Sequence, residues 1–139
     1  MAVDRLGPDK VRRPRKVLFD SSFLIAVMEH PTPWQGDMLE KLGMFQGVVI
    51  HPVYAELVRL AERHGPQSGF ARLALDLVED GTIRLESSEG GRADEELVSY
   101  ALREGATVAT IDGGLIRQLE AAHVPVLSLR GGRVQMHLD

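Results

Sequence analysis

The feature that most constrains this chain is an alternation of two patterns. Short runs rich in β-branched and apolar residues, at positions 17–20, 48–51, 82–85, 106–111 and 124–129, read as strands. Between them apolar residues recur at helical spacing. The sets are Phe23, Leu24 and Val27; Trp34, Met38, Leu39 and Leu42; Val53, Leu57, Leu60 and Ala61; Phe70, Leu73, Ala74, Leu77 and Val78; Leu97, Val98, Ala101 and Leu102; and Leu115, Ile116 and Leu119. Strand and helix in repeated alternation is the signature of βαβ units and a parallel sheet. Breakers fall where the pattern changes: Pro31 and Pro33, then Gly43, Gly65-Pro66 and Gly81, with Gly105 as a helix C-cap. Pro52 suits a first helical turn, where its missing N–H costs nothing. The expected fold is α/β with five parallel strands. Residues after 129 are expected to add a short edge element or to fray.

A chain of 139 residues is the size of one domain. That domain is expected to span residues 16–139, behind a basic and mostly disordered arm over residues 1–15. Residues 1–16 hold six bases and two acids, net +4, whereas the remaining 123 carry −8. A basic arm on an acidic body suits phosphate contacts beside a site that holds a cation; a solubilising tail is the plainer alternative. There is no cysteine, which excludes disulfides, a thiolate zinc site and a cysteine nucleophile. No apolar stretch approaches the roughly 18 residues of a membrane helix, and the N-terminus lacks the apolar core of a signal peptide. The chain therefore reads as cytoplasmic, with no membrane partner.

Four acids fall at the strand ends and helix starts. Asp20 ends the first strand, Glu56 follows the second, Asp94 opens the helix after the third, and Asp112 ends the fourth. In open parallel sheets, ligands bind beyond the carboxyl ends of the strands. Acids delivered there from four parts of the chain point to a hard cation, Mg²⁺ or Mn²⁺, which prefers carboxylate and water oxygens. Such ions assist phosphodiester cleavage by activating water and neutralising developing charge. Each acid also has a local alternative. Asp20, Asp94 and Asp112 suit N-caps, and Glu56 suits a first turn, where the helix dipole favours an acid.

The residues Asp20-Ser21-Ser22-Phe23-Leu24, Val53-Tyr54-Ala55-Glu56-Leu57, Ala93-Asp94 and Ala109-Thr110-Ile111-Asp112, in that order, resemble the motifs of the PIN-domain nuclease family. The resemblance spans residues 17–130. It implies a metal-dependent endoribonuclease on an α/β/α sandwich whose central five-stranded parallel sheet has its first and fourth strands side by side. It implies catalytic roles for Asp20, Glu56, Asp94 and Asp112, with Asp20, Asp94 and Asp112 as metal ligands and Glu56 orienting a water. Glu95 is the alternative to Asp94. Ser21 and Thr110 are expected to bond a carboxylate or a substrate phosphate, and Arg92 and Arg117 to flank an RNA path. Many family members have Asn where Ser22 stands, and some a further acid where this chain has Gly113 and Gly114, which counts against a second tightly held metal. Gly113-Gly114 is expected to turn the backbone tightly beside the acids.

Two settings fit the resemblance: a toxin-type ribonuclease with an antitoxin partner, and a ribosomal-RNA processing nuclease with a ribosome-assembly partner. A homodimer through helices near residues 34–80 goes with either. The alternative is a catalytically weak module of the same fold that binds RNA or a protein. Other chemistries find little support. No histidine is placed to activate Ser21 or Ser22 as a nucleophile, and His51 reads as structural or rim-lining. Aromatic residues make up 5% of the chain, too few for base stacking to dominate RNA recognition.

Overall fold

The computed structural model describes residues 14–137. Six strands form one sheet: β1 (Arg15–Phe19), β2 (Phe45–Ile50), β3 (Ile83–Glu86), β4 (Thr107–Ala109), β5 (Val126–Arg130) and β6 (Arg133–His137). Six helices connect them: α1 (Ser21–Glu29), α2 (Trp34–Leu42), α3 (His51–Glu62), α4 (Ser68–Glu79), α5 (Ala93–Glu104) and α6 (Gly113–Ala121). The strand order is β3-β2-β1-β4-β5-β6, parallel from β3 to β5. The first and fourth strands are thus neighbours, and the order reverses between them. That reversal opens the crevice where such sheets bind ligands.

The inner strands are apolar without alternation because helices cover both faces of a parallel sheet. Val17, Leu18, Phe19, Val48, Val49, Ile50, Val108, Ala109, Val126 and Leu127 are all fully buried. Phe19 is packed edge-on against Trp34 at 5.5 Å and tilted against Phe23 at 5.7 Å. Its ring also explains Gly47, where a Cβ would lie 2.7 Å from Phe19 Cε2. Among the described residues, no helix is long and apolar enough to cross a membrane.

The structure differs from the sequence reading in specific places. The edge element expected after residue 129 is present as a sixth strand, but it is antiparallel: β5 and β6 form a hairpin through Gly131 and Gly132, whose φ values are +58° and +77°. Left-handed backbone at two successive residues is what a two-residue hairpin turn demands. Arg15 opens β1 and pairs with Phe45; residues 1–13 of the basic arm lie outside the described residues. His51 begins α3 rather than ending β2. Leu39, Leu73 and Leu102, expected inside, are 53%, 49% and 58% exposed.

In α2 the buried positions are Trp34, Asp37 and Met38. Asp37 is buried because it holds the hairpin. Its carboxylate takes two bonds from Arg133 Nε, at 2.9 and 3.2 Å, one from Arg133 Nη2 at 2.5 Å, and one from the Val134 N–H at 3.0 Å.

Candidate active site

The site lies where β1 and β4 end side by side. Asp20 follows β1, and its own N–H donates to the Ala109 carbonyl of β4 at 2.9 Å, so the two strand ends are tied at the aspartate itself. Asp20 occupies the N-cap position of α1, but its carboxylate makes no capping bond. It turns instead toward two hydroxyls. Ser22 Oγ donates to Oδ2 at 2.6 Å and Thr110 Oγ1 donates to the same oxygen at 2.8 Å. Each hydroxyl has one proton, and both protons are directed at Asp20. As acceptors, the same hydroxyls take the Ile111 N–H at 3.2 Å and the Asp112 N–H at 3.1 Å. A buried carboxylate and the backbone turn after β4 are thereby joined through Ser22 and Thr110.

Asp20 is 8% exposed, and its hydrogen-bond partners are neutral. Burial pushes its carboxyl above the ordinary aspartate range, the two hydroxyls draw it back down, and the charges of Asp94 and Asp112 push it up again. This is an anionic group held away from water beside two like charges.

The other predicted acids are placed differently. Asp112 is exposed and is the N-cap of α6, with Oδ1 accepting from Gly114 N at 2.8 Å and Leu115 N at 3.2 Å. Its second oxygen takes no part in the cap. Asp94 is half-buried at the second position of α5, and of the neighbours Asp94 and Glu95 it is Asp94 whose charge acts on Asp20. Glu95 is exposed. Glu56 lies in the second turn of α3 rather than its first, so the helix dipole does not account for it. Its Oε1 pairs with Arg59 at 2.8 Å on a partly exposed helix face. Such pairs contribute at most about 1 kcal/mol.

Glu56 lines two adjoining clefts. One is shared with Ser21, Ser22 and Ile111, the other with Arg92 and the loop before α5. Ser21 therefore faces a cleft beside Glu56, while Ser22, one residue on, is the hydroxyl that bonds Asp20. Arg92 is exposed and immediately precedes α5. Arg117 lies back over the start of α6, where a Cβ on Gly113 would be 3.6 Å from its Nη1. Neither Gly113 nor Gly114 has a positive φ; they are the first two residues of α6, so the left-handed freedom of glycine is not used there. A Cβ on Gly114 would instead press on Asp112 Oδ1 at 3.3 Å.

A hard cation is suited in donor type, since the acids offer oxygen only. Among the described residues, however, no three His, Asp or Glu side chains are gathered closely enough to hold a metal ion by themselves. Two contributors escaped the sequence reading. Ser22 carried a signal, an Asp-x-Ser spacing at a helix start, where a hydroxyl can reach back to the cap residue. Glu96 carried none: it is a 9% exposed acid in the first turn of a helix already rich in acids.

A family model described as a PIN like domain matches residues 17–132. No curated protein sequence matches the chain. Among solved structures, the PIN domain endonuclease Utp24 superposes with a TM-score of 0.73 at 22% identity, covering 95% of this chain and 94% of that one. A domain of a functionally unknown protein from Methanocaldococcus jannaschii gives 0.60 at 16% identity, covering 90% and 98%. VapBC-1 from nontypeable Haemophilus influenzae gives 0.55 at 15% identity, covering 76% and 93%. At these identities the likeness is one of fold, and the family model carries the assignment across most of the described chain: this protein belongs to the PIN-like domain family.

Proposed function

We propose that this protein is a metal-dependent endoribonuclease, with Asp20, Asp94 and Asp112 holding Mg²⁺ or Mn²⁺ and Glu56 orienting the attacking water. The observation that carries this reading is Asp20. Its carboxylate is buried at the strand-order reversal, hydrogen-bonded among the described residues to two hydroxyls, and under the charge of two more aspartates. A family that includes an endonuclease and a fold shared with Utp24 support the same class of activity. The lack of three converging ligands does not oppose it, because Mg²⁺ keeps several waters and is commonly held through one or two carboxylates.

When bound, such an ion supplies Lewis-acid stabilisation of charge developing on the scissile phosphate. The chain's own residues do the rest. Ser22 and Thr110 fix the Asp20 carboxylate in one orientation. Asp112 keeps one oxygen on the α6 cap and turns the other outward. Ser21 offers its hydroxyl to a substrate phosphate in the cleft beside Glu56, and Arg92 and Arg117 supply flanking positive charge. RNA is the substrate in this reading, with an antitoxin or a ribosome-assembly factor as protein partner, and Mg²⁺ or Mn²⁺ as cofactor.

A second reading, a catalytically weak module that binds RNA or protein, is favoured by one observation: two of the four acids are already engaged, Asp112 in a helix cap and Glu56 with Arg59. Cleavage of single-stranded RNA, titrated with Mn²⁺ and compared between wild type and Asp20→Asn, separates the two. Cleavage that rises with Mn²⁺ and is lost in the variant supports the nuclease. Absent cleavage with retained RNA binding supports the module.

A further inference from the structure

We propose that the cleft between the start of α3 and the loop entering α5 is a phosphate subsite, which takes the RNA phosphodiester next to the one cut, and that Glu96 is the positioning residue that shapes it. This deepens the nuclease reading and rests on it. The cleft holds about 630 Å³ and is lined by His51, Glu56, Arg59, Ser88, Gly91 and Arg92, among others. That volume lies in the range of small-ligand sites and has room for one nucleotide unit. Glu56 also faces the neighbouring cleft of Ser21 and Ser22, so the subsite continues from the acids rather than standing apart.

Three features make it a place for an anion. The Arg92 guanidinium has no hydrogen-bond or ion-pair partner among the described residues, although the Arg92 carbonyl accepts the Glu96 N–H at 2.9 Å, and guanidinium forks match phosphate oxygens. Arg59 adds a second guanidinium, balanced by Glu56 alone. Both α3 and α5 begin at this cleft and neither N-terminus has a side-chain cap; Pro52 in the first turn of α3 has no N–H, so the fuller set of first-turn donors is that of α5. No Phe, Tyr or Trp lines the cleft, so recognition falls on the backbone phosphate rather than on a stacked base.

The wall that carries Arg92 depends on Glu96. Its Oε1 accepts the Glu89 N–H at 2.9 Å, seven residues back. Gly90 and Gly91 have φ values of +91° and +131°, and a Cβ on Gly91 would lie 3.2 Å from Glu96 Oε2. The loop is thus wrapped on the Glu96 carboxylate, which lies buried beneath it.

The test is a phosphate scan on the full-length Asp20→Asn chain, which retains the acceptor for Ser22 and Thr110. A short fluorescent single-stranded RNA is made with one phosphate at a time replaced by a neutral methylphosphonate, and affinity is measured for each. One position should cost about tenfold, the scale of a charge-assisted bond, and adding Arg92→Ala should erase that cost at that position alone. Glu96→Ala should weaken the same coupling, and Glu96→Gln, whose amide oxygen still accepts from Glu89 N–H, should restore it. A loss from Arg92→Ala spread evenly over all phosphates overturns the subsite. An undiminished coupling in a folded Glu96→Ala chain overturns the role of Glu96. Because binding is read without turnover, a failure here differs from failure of the nuclease reading, which shows as unchanged cleavage in Asp20→Asn.

Discussion

Asp20 and Asp37 are buried to a similar degree, 8% and 3% exposed, yet their surroundings are opposite. Asp37 faces a guanidinium in a forked arrangement and a backbone N–H, which hold its carboxyl well down, at about 2. Asp20 faces two hydroxyls and two like charges, and burial pushes it up. A buried charge with its counter-charge in place is a structural fastening; here it clamps the β5–β6 hairpin to α2. A buried charge given hydrogen bonds but no counter-charge keeps a negative potential that a cation can offset. The difference separates an acid paired within the fold from an acid that, in the proposed function, is kept for a cation.

The largest expected break in this comparison is in activity. Asp20→Asn should reduce metal-dependent RNA cleavage to background while the chain melts a few degrees above wild type without metal, because a buried, repelled charge has been removed and both hydroxyl bonds kept. Added Mn²⁺ should raise the wild-type melting temperature by binding the folded state and leave the variant unmoved. A differential scanning series with and without Mn²⁺ checks both, and a wild type that gains nothing from metal counts against the site.

Asp37→Ala should do the reverse. It leaves the Arg133 guanidinium and the Val134 N–H without their acceptor and frees the hairpin, so melting temperature should fall sharply while cleavage at low temperature persists. The pH dependence carries the same sign. Asp37 has its folded-state carboxyl depressed to about 2 from an ordinary 3.8. Its contribution is complete above the unfolded value and is lost as pH falls through the folded one. Acid unfolding between about pH 4 and 2 should therefore be less steep in Asp37→Asn than in wild type, as followed by circular dichroism.

Asp112 caps α6 with one oxygen, and in the proposed site it also serves the cation. Asn is as good an N-cap as Asp, whereas Ala costs about 1 kcal/mol. Asp112→Asn should keep stability and blunt the Mn²⁺ response; Asp112→Ala should lower both. Equal metal responses in wild type and Asp112→Asn would leave Asp112 as a cap alone.

The smallest effect concerns the arm. Removing residues 1–13, which stops short of β1, should weaken RNA binding at low salt. It should also flatten the slope of log K against log salt by about 0.7 for each phosphate that the arm neutralises. Turnover at saturating RNA should change less than affinity. An unchanged slope would assign RNA binding to the folded domain.

Much of this fold is written in local patterns. The strand and helix alternation, the Gly105 C-cap with its φ of +66°, the Asp112 N-cap and the delivery of acids to strand ends all follow from residue type and spacing within a few positions. These depend on backbone geometry and nearest-neighbour hydrogen bonding, which a short stretch of chain carries by itself. The tertiary structure alone decided the rest. Thr110 reaches Asp20 across 90 residues, and Arg133 reaches Asp37 across 96. Nothing local marks Glu96 as the buried acid beneath a glycine loop, or Thr110 as the second hydroxyl on Asp20. Such pairings depend on which surfaces meet once the sheet has formed. The cost of burying each charge is set by the partners found there.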